Sequence, residues 1–184
     1  MKVNELEMQT GDILLLRIKG ITGVAVWLMQ AINWDTSKWT HVGVILDNGF
    51  VFEAQPGGAT LTPLAHYTER SAAVVTHRMT CPRGSLAPLN LSPETRAKIS
   101  SAAIQYVGRR YGWGTYLYLA MYRLGLRSKR LKRRVQRSDR MICSQAADQI
   151  YRDVGIELFN DGRMPMDVTP GDLARLAPDQ NGVI

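Results

Sequence analysis

The chain has 184 residues, 45% hydrophobic and 21% charged, a balance that excludes a disordered or fibrous protein and leaves room for one sizeable core. Its 23 basic and 16 acidic residues give a net charge of +7. Two cysteines, Cys81 and Cys143, are too few for a disulfide framework and lack the CxxC spacing of a structural zinc site, and neither a membrane span nor an apolar signal core is visible.

In chain order, Asp12–Arg17 reads as a buried strand entered from Gly11. Ile21, Val24, Ala25, Leu28 and Ile32 repeat at helical spacing and predict a helix with that face inward. A loop with Trp34 and Trp39 leads to a second strand, His41–Leu46, and after a turn to a return strand, Phe50–Ala54. The length of that turn decides which face Glu53 occupies. A two-residue turn at Asn48-Gly49 puts Glu53 opposite Val44, away from His41. A three-residue turn, Asp47-Asn48-Gly49 with Gly49 left-handed, pairs Glu53 with Gly43. It then makes Glu53 a diagonal neighbour of His41, roughly 7–8 Å apart at the backbone. The three-residue turn is the expectation, with Gly43 leaving the space between the two side chains empty.

Gln55-Pro56-Gly57-Gly58 reads as a strand break, and Ala72–Met79 as a further strand. Ser92 caps a helix that opens at Pro93 and runs to about Val107. Tyr116 to Leu126 form an apolar helix. A helix beginning at Cys143 closes near Gly155, and Phe159 to Leu176 reads as loop-rich. Strands cluster early and helices follow, which predicts an α+β architecture in one domain over 1–184, with a basic helical insertion at 114–141.

The charge is local. Arg123 to Arg140 hold nine of the 23 basic residues against Asp139 alone, and the remainder is nearly neutral. The run reads either as a solvated surface loop or as a patch facing an anionic membrane or polymer. Nucleic acid is disfavoured, because aromatics and cations are sequential rather than interleaved. The default compartment is the cytoplasm, with signal-independent export left open.

Cys143 carries the chemistry. Unpaired N–H groups and the positive dipole end at a helix start favour a thiolate. A strand histidine, His41, can take the proton, and a carboxylate, Glu53, can orient that histidine. Each residue alone also fits an inert core position. Glu53 interrupts an apolar segment, and a buried charge there requires a partner.

Gly11-Asp12-Ile13-Leu14, Thr40-His41-Val42-Gly43-Val44, Phe52-Glu53-Ala54, Gly108-Arg109-Arg110-Tyr111-Gly112-Trp113 and Ile142-Cys143-Ser144-Gln145 occur in that order. The set resembles the permuted papain-like cysteine hydrolases, the YiiX/YebB-type bacterial proteins related to NlpC-type peptidases and to lecithin:retinol acyltransferase. The resemblance runs from about Gly11 to Val168–Leu173. It implies a circularly permuted papain-like fold, an antiparallel sheet packed against helices, with the histidine block before the cysteine block. It further implies Cys143 as nucleophile, His41 as general base, Glu53 as orienting residue and Tyr111 as a substrate- or oxyanion-positioning residue. A core aromatic is the other reading of Tyr111. Gln145 departs from the family, where Glu more often follows Cys-Ser. His66 and His77 match no family position.

Acyl transfer through an acyl-enzyme follows, with no metal or cofactor required. The substrate expectations are a small peptide amide, such as cell-wall peptide, or an acyl lipid at an anionic membrane. A non-catalytic binding module is the alternative from another class.

Overall fold

The computed structural model describes residues 8–18, 21–32, 37–68, 74–75, 91–115, 118, 121, 129–130, 133 and 139–176. Five antiparallel strands form one sheet in the order β4-β3-β2-β1-β5: β1 Ile13–Leu16, β2 His41–Ile45, β3 Phe50–Gln55, β4 Gly58–Pro63 and β5 Val74–Val75. Helices α1 Ile21–Ile32, α2 Ala65–Thr68, α3 Pro93–Ile104, α4 Cys143–Asp153 and α5 Pro170–Ala174, with a short 3-10 turn at Pro165–Asp167, complete an α+β fold.

The β2–β3 hairpin has the three-residue turn. Leu46 N–H donates to the Phe50 carbonyl at 2.8 Å, Gly49 sits at φ 74°, and Gly43 pairs with Glu53. The space above Gly43 is not empty, however. A Cβ there would lie 2.3 Å from Val51 Cγ1, so Val51 fills the site a side chain would need.

Strand β4 was not foreseen. Pro56 and Gly57 form a tight turn, Gln55 pairs with Gly58, and β4 then runs beside the whole of β3. Of the strand expected at 72–79 only Val74–Val75 is described, and it pairs with Leu14 and Leu15.

Two apolar clusters follow from strand alternation. Ile13, Leu15, Val42, Val44, Phe52 and Ala54 face the main core with Ile99 and Ala103 of α3 and Ala146, Ala147, Ile150 and Tyr151 of α4. Leu14, Leu16, Ile45 and Val51 face the other side, where Leu64 and Tyr67 cover them. Helix α3 starts as expected, with Ser92 Oγ accepting from Thr95 N–H at 3.2 Å and Pro93 in the first turn, but ends at Ile104.

Helix α1 turns the opposite face inward. Val26 and Gln30 are buried, whereas Val24, Trp27 and Leu28 are 57%, 44% and 50% exposed. The tail is less loop-like than expected. Thr169 and Asp172 form a capping box at the start of α5, and Val168, Leu173 and Leu176 are among the most buried residues. Most of the insertion expected at 114–141, with the Tyr116–Leu126 helix, lies outside the described residues. Within it Lys129, Arg130 and Arg133 are helical and exposed.

Asp12 ties these layers together. Its carboxylate accepts from Gln9 N–H at 2.8 Å and pairs with Arg96 of α3 at 3.2 Å, while the Tyr151 hydroxyl of α4 donates to the Gly11 carbonyl.

Gly43→Ala is expected to cost about 1–3 kcal/mol in urea denaturation, because the sheet must displace Val51. The cost should shrink in a Val51→Ala background. Equal costs in both backgrounds would show that Val51 is not what fills the space.

Candidate active site

Cys143, His41 and Glu53 come from three elements and meet at one end of the sheet. His41 opens β2 and faces the smaller cluster, as do Gly43, Ile45 and, across the hairpin, Glu53 and Val51. Its Nε2 lies 2.5 Å from Glu53 Oε2. That leaves Nδ1 as the ring nitrogen available to a second partner. The Cys143 sulfur approaches the ring closely enough to act on its charge through both its field and a hydrogen bond. Cys143 is the first residue of α4, and α4 packs across β2 and β3 from the main-core side. Contact with the imidazole is therefore made at the end of β2, where His41 begins the strand.

The local sequence explains the helix start. Ile142 is extended, at φ −97° and ψ 164°, and no side chain caps α4. The Ser144 hydroxyl donates to the Val168 carbonyl at 2.7 Å and fixes the first turn against the tail. Cys143 is a free thiol with 2% of its surface exposed.

The electrostatics follow one pattern. Burial of His41 opposes its charge, but the Cys143 sulfur and then Glu53 outweigh it and push the imidazole up to about 10, from an ordinary 6.5. Burial of Glu53 opposes its charge likewise. His41, Thr62 and Tyr67 together outweigh that and hold its carboxyl below the usual range. Oε1 of Glu53 accepts from Gln55 Nε2 at 2.6 Å, from Tyr67 Oη at 2.5 Å and from the Thr62 hydroxyl. Sequence reasoning singled out none of these three donors. The signal was present for Thr62, since Ala59, Leu61 and Thr60, Thr62 alternate as a strand does.

Tyr111 lies beside this site through the backbone. It forms a parallel bridge with Met141, two residues before Cys143, and Gly112 N–H donates to the Met141 carbonyl at 3.0 Å. Its ring is buried in the main core and packs edge-on against Trp113, with centroids 5.1 Å apart. The position is that of a core aromatic adjoining the Cys143 segment. His66 is exposed on α2. His77 and Cys81 lie outside the described residues. Arg109, Arg110, Asp139 and Arg140 line an open surface cleft flanking the Tyr111–Met141 bridge.

No family model matches the chain. No curated protein matches it either. Among solved structures, the chain is similar in fold to the crystal structure of the metalloprotein YiiX from Escherichia coli O157:H7. The TM-score is 0.54 and the identity 23%, over 83% of this chain and 69% of that one.

The order of causes at His41 gives a prediction. Removing either partner must lower the imidazole's proton affinity. The midpoint of the ring's NMR titration should fall from about 10 in Glu53→Gln, and fall further in Cys143→Ala, because the sulfur acts more strongly than the carboxylate. An unchanged midpoint in both variants contradicts the coupling.

Proposed function

We propose that the protein is a cysteine hydrolase of the permuted papain-like type, working through an acyl-enzyme on an amide of a small peptide such as cell-wall peptide. The observation that carries this reading is the series Glu53–His41–Cys143, carboxylate to imidazole to sulfur, with the sulfur at an uncapped helix start. The YiiX likeness in fold supports it, as does the histidine-before-cysteine order of the chain.

The chemistry would run as follows. Cys143 Sγ, as thiolate opposite protonated His41, attacks the carbonyl carbon and forms a C–S bond. The oxyanion is received by the Cys143 N–H at the start of α4. His41 gives its proton to the departing amine as the C–N bond breaks, leaving a thioester. Water then attacks the thioester, His41 takes its proton, and the acid and thiolate are released. Glu53 holds the imidazole in the required orientation and balances its charge throughout. Tyr111, bridged to Met141 two residues before Cys143, would position the substrate or the oxyanion.

YiiX is described as a metalloprotein. Glu53 spends both oxygens on N–H and O–H donors that a cation would have to displace. Among the described residues no group of three or more His, Cys, Asp or Glu is placed to hold an ion. These side chains do not fit a metal.

A second reading, an acyl hydrolase or acyltransferase acting on lipid at an anionic membrane, is favoured by a separate observation. Helix α1 carries no charged residue and exposes Val24, Trp27 and Leu28, and Arg109, Arg110 and Arg140 line an open cleft.

Mass spectrometry of the protein incubated with muropeptides or with anionic phospholipid vesicles separates the two. An adduct on Cys143 whose mass is a peptide acyl group supports the first reading, and a fatty acyl adduct supports the second. Cys143→Ala and His41→Ala should abolish turnover. Glu53→Gln should lower it by about 10²–10⁴-fold. Full turnover in Cys143→Ala would falsify both readings.

A further inference from the structure

Beyond His41, Glu53 makes contacts that the proposed chemistry does not yet use. Its Oε2 serves the histidine, but Oε1 is held by donors from three elements: Gln55 of β3, Thr62 of β4 and Tyr67 of α2. These donors are not equivalent. Gln55 is partly exposed on a flexible side chain. The Tyr67 ring is braced instead, packed on the cluster of Leu14, Leu16, Ile45 and Val51 and edge-on to His66 at 5.4 Å. The backbone behind it is also tied: Tyr67 N–H donates to the Leu64 carbonyl, and Leu64 N–H to the Gly49 carbonyl of the β2–β3 turn, both at 2.9 Å. The turn that places Glu53 opposite Gly43 is thus the turn that anchors the start of α2. The phenol is aimed by the same construction that aims the carboxylate.

We infer that Tyr67 is a positioning residue of the reaction: seconded by Thr62, it fixes the Glu53 carboxylate in the orientation that presents Oε2 to His41. The inference rests on the reading of Cys143, His41 and Glu53 as a nucleophile–base–orienting series. Without the Oε1 donors the carboxylate of a buried glutamate is free to rotate about its last torsion, and either oxygen, or neither, would meet the ring. With them one oxygen is committed. The groups facing this carboxylate are His41 from β2, Thr62 from β4, Tyr67 from α2 and Gln55 from its own strand. His41 faces Cys143 from α4 on its other side.

The test reads thiol reactivity, so it needs no substrate. In a Cys81→Ser background, which leaves Cys143 as the single thiol, the rate of alkylation by iodoacetamide is followed against pH. Tyr67→Phe removes one donor to the carboxylate, so Glu53 should take up its proton at higher pH and release its hold on His41 sooner as pH falls. The acid limb should move up by about one pH unit, about ten-fold in rate at a fixed pH on that limb. In a Glu53→Gln background the same substitution should change nothing. Thr62→Val should act in the same direction and serves if Tyr67→Phe does not fold.

An unshifted limb in both folded variants overturns the positioning role and leaves the underlying reading intact. A shift that persists in the Glu53→Gln background also overturns it, since Tyr67 would then act by another route. Slow labelling of Cys143 at every pH, unaffected by His41→Ala, instead removes the nucleophile–base reading on which the inference stands.

Discussion

A carboxylate buried in a sheet is a liability unless donors surround it. Removing an ion of that size from water costs several kcal/mol even after relaxation. Glu53 is almost wholly buried, yet its charge is favoured, because His41, Gln55, Thr62 and Tyr67 all offer it N–H or O–H groups. That cluster exists only in one hairpin register. Shortening the β2–β3 turn by one residue would move Glu53 to the opposite face of β3, the face of Phe52 and Ala54, into the apolar core under α4. The register that satisfies the charge is the one that delivers the carboxylate to the histidine. Fold stability and site geometry therefore share a single constraint.

The sulfur arrives from the other side of the sheet. Main-core packing sets α4 across β2 and β3, the Ser144–Val168 hydrogen bond fixes its first turn, and the tail segment with α5 closes over it. His41 and Glu53 belong to the face covered by Tyr67, Cys143 to the face covered by helices. The series is completed around the strand end rather than through the sheet. Asp12, bound to Arg96 and adjoining the Tyr151–Gly11 hydrogen bond, keeps β1, α3 and α4 in the relation this needs.

Local rules that leave one solution were legible in the sequence. Gly49 and the alternation on either side of it specified the hairpin register, and with it the His41–Glu53 pair. Ser92-Pro93 specified the start of α3. Where several solutions satisfy the pattern, the reading failed. Helix α1 is apolar on most of its circumference, so periodicity could not say which stripe faces inward, and the packed stripe is that of Val26 and Gln30. Gln55-Pro56-Gly57-Gly58 read as a break although Pro56-Gly57 is a turn between two paired strands. Losing β4 meant losing Thr62, and losing the short α2 beyond it meant losing Tyr67. In the tail, Pro170 and Gly171 masked a capping box that Thr169 and Asp172 spell out.

The charges at the site depend on the same construction. Burial opposes a charged imidazole at His41, yet the Cys143 sulfur first and Glu53 second outweigh it and lift the ring to about 10. Glu53 can do this only while it is itself charged, and that charge is held by the donors gathered on Oε1 from β3, β4 and α2. The proton on His41 therefore depends on groups that never touch the ring, and the hairpin register that assembles them also sets the electrostatics of the site.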